Sequence, residues 1–356
     1  MTRATTHHPA ATGPAPGIRS LTAVRPAATP QRLLADLVPP RHFRDARFST
    51  YRAIPDFPSQ AGTRSRLRDI AAAIAAPRRR GLFATARKVA PPAVYLDGGF
   101  GVGKTHLLAA LAHAVGVERV AFGTFVEYTN LVGALGFQPT VEALAAKQLV
   151  CIDEFELDDA GDTMIMSRLL RELTDRGVAL AATSNTLPEA LGEGRFAAED
   201  FLREIRTLAH RFEVLRVDGH DYRRRSVVTD PRPLPGDVVA AVATSRADAT
   251  LDGFPALLDH LATVHPSRYG ALLDGVGLVA LTDVAQVTRQ DVALRLVVLV
   301  DRLYDRDVPV LLAGPGDRRG LFTEEMLHGG YRKKYFRTLS RLGALAEEGR
   351  TLALGD

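Results

Sequence analysis

The chain of 356 residues has no tryptophan and one cysteine, Cys151. A single thiol excludes an intramolecular disulfide framework and any Cys-x-x-Cys redox or zinc pair. Cys151 lies inside an apolar run, where a buried, inert thiol is expected. The histidines show no H-E-x-x-H or comparable spacing, which removes the usual zinc signatures. No apolar run approaches the roughly twenty residues that cross a bilayer as a helix. No apolar segment follows the N-terminus in the manner of a secretory signal, so a cytoplasmic location is expected. An excess of one charge is also missing. The balance of 45 basic to 41 acidic residues leaves +4, too little at this length to argue for nucleic acid. The basic runs Arg78-Arg79-Arg80, Arg223-Arg224-Arg225 and Arg332-Lys333-Lys334 read first as solvated surface. Each has the chemistry to meet phosphate or an acidic partner. Nucleic acid is therefore a secondary expectation, and it stays open. With 46% hydrophobic and 24% charged residues the composition is that of a globular protein, long enough for two domains.

What the chain does have is the stretch VYLDGGFGVGKTHLLAAL, residues 94–111. Gly98, four residues, then Gly103, Lys104 and Thr105 make the G-x-x-x-x-G-K-[ST] phosphate-binding pattern. Val94-Tyr95-Leu96 reads as a buried strand and Lys104–Val115 as a helix, which is the context this chemistry needs. Backbone N–H groups of Gly98, Gly99, Phe100, Gly101, Val102 and Gly103 would curl round phosphates, with the positive end of the helix dipole behind them. Lys104 would reach the β- and γ-phosphates, and Thr105 would ligate Mg²⁺. His106, next after Thr105, is counted with the loop among the expected cofactor contacts. The cofactors expected are thus ATP and Mg²⁺.

Residues 149–154, LVCIDE, form an apolar run ending in two acids, as a strand buried on both faces would. Ligands collect at the C-terminal ends of such strands. Asp153 is the expected partner of Mg²⁺, and Glu154 the general base that polarises the attacking water. A third strand, VALAAT at 178–183, runs into Ser184 and Asn185. Asn185 is the candidate to orient the water or sense the γ-phosphate.

At CIDEFELDDAGDTMIMSRLLRELTDRGVALAATSN, residues 151–185, the chain resembles the ZapE-type cell-division ATPases and their mitochondrial Afg-type relatives. Further matching pieces are Pro58-Ser59-Gln60, TFVEYTNLVGALGF at 124–137, Asp221-Tyr222-Arg223, LVDRLYDRDVPVLLAG and GGYRKKYFRTLSRL. The likeness spans roughly residues 40–346 and departs from the family pattern between 194 and 212. It implies an AAA+-like ATPase without a fused protease, assembling with itself and remodelling a protein partner, the division tubulin-like polymer at the septum. It implies further that Gln60, in the lead-in to the nucleotide site, touches adenine, with Ser59 as a helix cap the plainer alternative. Arg211 is the first candidate for an arginine that reaches the neighbouring subunit's γ-phosphate, with Arg203 as alternate. Arg341 or Arg337 would act as a lid arginine within the subunit. The competing reading is a nucleotide-switched, nucleic-acid-associated adaptor of the helicase-loader kind. The absence of an N-K-x-D pattern after the acidic strand argues against a GTPase.

The expected fold is α/β: a P-loop NTPase core with a mainly parallel sheet, a smaller C-terminal α/β region and a disordered N-terminus. The divisions read as 1–40 disordered, 41–90 lead-in, 91–235 core and 236–356 accessory, with DPRPLPGD at 230–237 as the boundary. Core strands are expected near 93–96, 119–122, 148–153, 178–183 and 213–217. A helix is expected over 159–176, with residues 160, 164, 169 and 173 on its apolar face. In the C-terminal region, strands are expected at 278–281 and 308–312. Between them Val292, Leu296, Leu299, Val300 and Leu303 mark a helix face that belongs to the core.

Overall fold

The computed structural model describes residues 18–26, 29–76, 90–99, 101–155, 160–186, 210–220, 233–314 and 320–355. The chain forms two compact units. One is Ala28–Val227, and the other joins Met1–Ala27 to Val228–Asp356.

The first unit begins with a short helix α1 (Pro30–Ala35), capped by the Thr29 hydroxyl, and a longer helix α2 (Pro58–Ala75). Proline suits the first helical position, where its missing N–H has no partner to lose. It places Pro58 at the start of α2 and leaves Ser59 inside the helix, so Ser59 is not its cap. Strands and helices then alternate: β1 (Ala93–Asp97), α3 (Lys104–Val115), β2 (Val120–Thr124), α4 (Phe125–Leu135), α5 (Phe137–Ala145), β3 (Leu149–Asp153), α6 (Ala160–Asp175), β4 (Ala179–Ser184) and β5 (Glu213–Arg216). All pairings are parallel, in the order β2-β3-β4-β1-β5.

Alternation along each strand sends Tyr95, Ile152, Leu180 and Ala182 to one face, against α4, α5 and α6. It sends Leu96, Cys151 and Ala181 to the other, against α2 and α3. With both faces covered, β1, β3 and β4 are apolar up to their C-terminal ends, where Asp97, Asp153 and Thr183-Ser184 stand, as the sequence suggested. Cys151 is fully buried, and that burial pushes its thiol well above the ordinary value. The apolar face of α6 is not quite the expected one. Met166, Leu169, Leu170 and Leu173 point inward, while Met164 is half exposed, because a 100° step per residue carries 166 and not 164 under the 169–173 stripe.

The second unit contains α7 (Gly236–Thr244), β6 (Ala249–Gly253), α8 (Phe254–Thr263), α9 (Tyr269–Leu272), β7 (Leu278–Thr282), α10 (Gln290–Asp305), β8 (Val310–Leu312), α11 (Glu324–His328) and α12 (Arg332–Leu354). Its three strands are parallel in the order β6-β7-β8. β8 falls within its expected range, and β7 runs one residue past its own. β6 was not anticipated, because ATLDG carries an Asp and a Gly that strands disfavour. On α10, Leu296, Leu299, Val300 and Leu303 are buried and Val292 packs beside them.

Part of the segment expected to be disordered, residues 1–40, is ordered. Residues 1–17 lie outside the described residues, but residues 19–24 are fastened to the second unit. Arg19 bridges Thr250 at the edge of β6, and its guanidinium donates to the Asp274 and Gly275 carbonyls. The buried Asp252 carboxylate accepts from Ser20 Oγ at 2.6 Å, Leu21 N at 2.9 Å and Thr22 N at 3.1 Å. The Leu21 side chain is 0% exposed within that unit's core.

The resemblance offered Arg337 or Arg341 as a lid arginine. Both guanidinium groups are instead committed within the second unit. Arg337 Nη2 lies 2.8 Å from Asp301 Oδ2 and Arg341 Nη1 lies 2.5 Å from Asp301 Oδ1, with all three side chains largely buried. Burial alone would raise the Asp301 carboxyl. The two guanidinium charges outweigh it and hold the group below the usual carboxylate range.

Candidate nucleotide site

The strand order builds the site. β4 lies between β1, which feeds the glycine loop, and β3, which ends in Asp153. Groups from all three strand ends and from the start of α3 therefore converge. The loop's shape needs its glycines for different reasons. Gly101 and Gly103 sit at φ 69° and 90°, in the left-handed region where a side chain is strained. Gly98 has no room, because a Cβ there would lie 2.3 Å from the Val217 carbonyl oxygen. Gly99 meets nothing within 4 Å. Val102 is buried, and its carbonyl accepts from Tyr51 Oη at 2.9 Å. The Tyr51 ring lies 2.7 Å from where a Gly103 Cβ would be, so Tyr51 is a wall of the loop that the sequence did not reveal. Phe100 lies outside the described residues.

Lys104 Nζ donates to the Gly98 and Gly99 carbonyls at 2.8 and 2.6 Å and to Asn185 Oδ1 at 2.8 Å. The expected phosphate lysine and the expected sensor are thus already in contact. Thr105 Oγ1 lies 3.2 Å from Asp153 Oδ1. These are hard oxygen donors on one side of the loop, the donor type that Mg²⁺ takes, so the residues present fit a magnesium nucleotide. Asp153 is 7% exposed. Glu154 follows it at φ 54°, a left-handed geometry that costs a non-glycine residue about 1–2 kcal/mol. It is held there by its neighbours: its N–H donates to Thr183 Oγ1 at 3.0 Å, and the next N–H, of Phe155, donates to the Thr183 carbonyl at 2.7 Å. The turn lifts Glu154 out of the strand's alternation and leaves its side chain partly exposed. Strain of this kind at a strand end is a frequent mark of a working site.

Two of the expected cofactor contacts take other roles. The Gln60 amide is enclosed by protein, 0% exposed, rather than open to a base. Its Oε1 accepts from Ile54 N at 2.8 Å and its Nε2 donates to the Asp218 carbonyl at 2.7 Å, so it ties the lead-in to the chain after β5. His106 Nε2 lies 3.1 Å from Thr50 Oγ1 and 3.2 Å from the Arg47 carbonyl. It fastens the lead-in to α3. Arg211 donates to Thr174 Oγ1 at 3.1 Å and lies 3.7 Å from Asp175 Oδ1, with 36% of its side chain exposed. Thr174 and Asp175 close α6 just before β4 begins, so Arg211 sits at the opposite end of the sheet from its own glycine loop. Glu213, a conceivable partner, is held by Arg66 instead, which donates to both of its oxygens at 2.7 and 2.8 Å. That hydrogen bonding holds the Glu213 carboxyl below its ordinary value. Arg203 and Asp221-Tyr222-Arg223 lie outside the described residues.

The family model of the AFG1-like ATPases matches residues 27–243 and 237–351. The chain belongs to the AFG1-like ATPase family. This family member is 27% identical over 296 residues to the cell division protein ZapE of Escherichia coli strain K12, covering 72% of the present chain and 78% of that one. It is 30% identical over 157 residues to an uncharacterized Schizosaccharomyces pombe protein, covering 39% of this chain and 35% of that relative's length. Among solved structures, that of DnaI aligns with a TM-score of 0.39 at 18% identity, covering 51% of this chain and 93% of that one. A likeness that loose carries no argument about function. An AFG1-like ATPase with a parallel α/β core is what the fold and the family together establish. Among the described residues no helix is long and apolar enough to cross a membrane.

Proposed function

We propose that this AFG1-like ATPase hydrolyses ATP with Mg²⁺ and couples the cycle to remodelling a protein partner in cell division. The observation that carries the chemistry is the convergence of Lys104, Thr105, Asp153, Glu154 and Asn185 at three adjacent strand ends. The glycine loop and the start of α3 hold the phosphates. Lys104 exchanges its carbonyl partners for phosphate oxygens. Thr105 and Asp153 hold the metal, which when bound neutralises charge on the β- and γ-phosphates. Glu154, turned out of the strand, takes the proton of the attacking water, and Asn185 orients that water or the γ-phosphate. Arg211, distant from its own loop and partly exposed, suits action on a neighbouring copy in a self-assembled oligomer. The cell-division role rests on the similarity to the Escherichia coli protein, whose name assigns it there. The division polymer at the septum is the partner to test first.

The test is Mg-ATP turnover and binding in two variants. Glu154→Gln keeps shape and an acceptor oxygen but loses the base. It should bind Mg-ATP normally and turn over about 10²–10⁴-fold more slowly. Lys104→Ala should fold and lose ATP binding by calorimetry. Unimpaired hydrolysis by Glu154→Gln would place the base elsewhere. In a lysate, the Glu154→Gln protein should hold its partner in the ATP state, and the identity of the retained protein decides the cell-division reading.

A further inference from the structure

We propose that Thr183 is a positioning residue for hydrolysis: its hydroxyl sets the Asp153 carboxylate and the turned backbone of Glu154 at the same time. The inference deepens the proposed function and rests on it. Strand parity places the residue. Thr183 shares a face of the sheet with Ala179 and Ala181, the face that packs on α3. Asp153 shares that face through Cys151 and Leu149. The β3–β4 register runs Cys151 to Ala181 and Ile152 to Ala182, so the next residues, Asp153 and Thr183, come side by side. Where small apolar residues fill the earlier positions, a hydroxyl appears at the last one, 2% exposed.

That hydroxyl bonds in both directions. Oγ1 gives its one proton to Asp153 Oδ1 at 2.5 Å and accepts the Glu154 amide at 3.0 Å. A hydroxyl is both donor and acceptor on one atom, and no aliphatic side chain of the same size can do this. The same Asp153 oxygen takes Thr105 Oγ1 at 3.2 Å. Thr183 therefore fixes which carboxylate oxygen faces the metal position and anchors the φ 54° turn that presents Glu154. Both bonds run to the two acids, and its effect passes through them.

Thr183→Val removes the hydroxyl and keeps the shape. We measure kcat, the Mg²⁺ concentration for half-maximal rate, and Mg-free nucleotide affinity. Outer-shell partners of metal ligands are typically worth about 10–100-fold, so kcat should fall by that order and the Mg²⁺ requirement should rise, with Mg-free affinity unchanged. Thr183→Ser restores the hydroxyl and should restore both values. On a Glu154→Gln background, Thr183→Val should cost no further kcat but should still raise the Mg²⁺ requirement, since the base it positions is already gone. If Thr183→Val does not fold, Thr183→Cys takes its place with the same expectations. Wild-type kcat and Mg²⁺ dependence in Thr183→Val, or a Thr183→Ser enzyme as impaired as Thr183→Val, overturns the proposal. Unimpaired turnover by Glu154→Gln alone removes the base assignment and with it the Glu154 half of this proposal. An impaired Glu154→Gln beside an unaltered Thr183→Val removes only the role of Thr183.

Discussion

Replacing Gly98 by alanine should damage the first unit, while the same change one residue later should not. A Cβ on Gly98 would stand 2.3 Å from the Val217 carbonyl oxygen and 3.2 Å from its carbon, both backbone atoms that cannot rotate away. Val217 N donates to the Asp97 carbonyl at 2.7 Å, extending the β1–β5 pairing by one rung. Making room requires that rung to lengthen or break, which forfeits about 0.5–1.5 kcal/mol for the hydrogen bond. Shifting a packed backbone adds about 1–3 kcal/mol, as overpacking usually does. The sum is about 1.5–4.5 kcal/mol, a large share of a marginal stability. At Gly99 nothing lies within 4 Å and φ is not positive, so alanine there should change stability by less than about 0.5 kcal/mol. Urea unfolding of both variants, followed by Mg-ATP calorimetry, measures the contrast. Weakened ATP binding in Gly98→Ala should accompany its lost stability, since the same strand ends carry the loop. Equal stability in the two variants would mean that the close approach of residues 98 and 217 is not what holds this loop.

Two further outcomes follow from the charged groups. Arg211→Ala should bind ATP but hydrolyse poorly, and the Lys104→Ala protein, which still carries Arg211, should restore part of the activity on mixing; turnover that is flat with dilution and unrescued on mixing would mean that each subunit works alone. Asp301→Asn leaves Arg337 and Arg341 in a largely buried site without their counter-charge and should cost about 3 kcal/mol by thermal unfolding. Because the native carboxyl of Asp301 is held below its unfolded value, its contribution is present above about pH 4 and lost as pH falls through the lowered native value. The variant should lack that part of the acid sensitivity, and identical acid unfolding in the two proteins would refute it.

What could be read from the chain was local. Gly98, Gly103, Lys104 and Thr105 announce themselves by spacing between a strand and a helix, and Asp153-Glu154 by ending an apolar run. The positions of β1, β3 and β4 followed from apolar runs that suit a covered parallel sheet. The parts that stayed hidden depend on which distant segments meet. Thr183 looked like the last residue of a strand, and only the insertion of β4 between β1 and β3 turns it toward Asp153. Tyr51 gave no sign of walling the loop some fifty residues later in the chain. In the sequence Gln60 reads as available to a base, because no pattern shows that Ile54 and Asp218 occupy its amide. The pairing of Arg337 and Arg341 with Asp301 joins two helices whose charges each look like ordinary surface.

The fastening of residues 19–24 to the second unit has a consequence for synthesis. Ser20 and the Asp252 that receives it are 232 residues apart. At about 5–20 residues per second, the segment leaves the ribosome roughly ten to fifty seconds before its seat on β6 exists. Through that interval the whole first unit can emerge and fold, while Leu21 has no core to enter. The second unit then closes around a piece of chain made before the whole of the first unit.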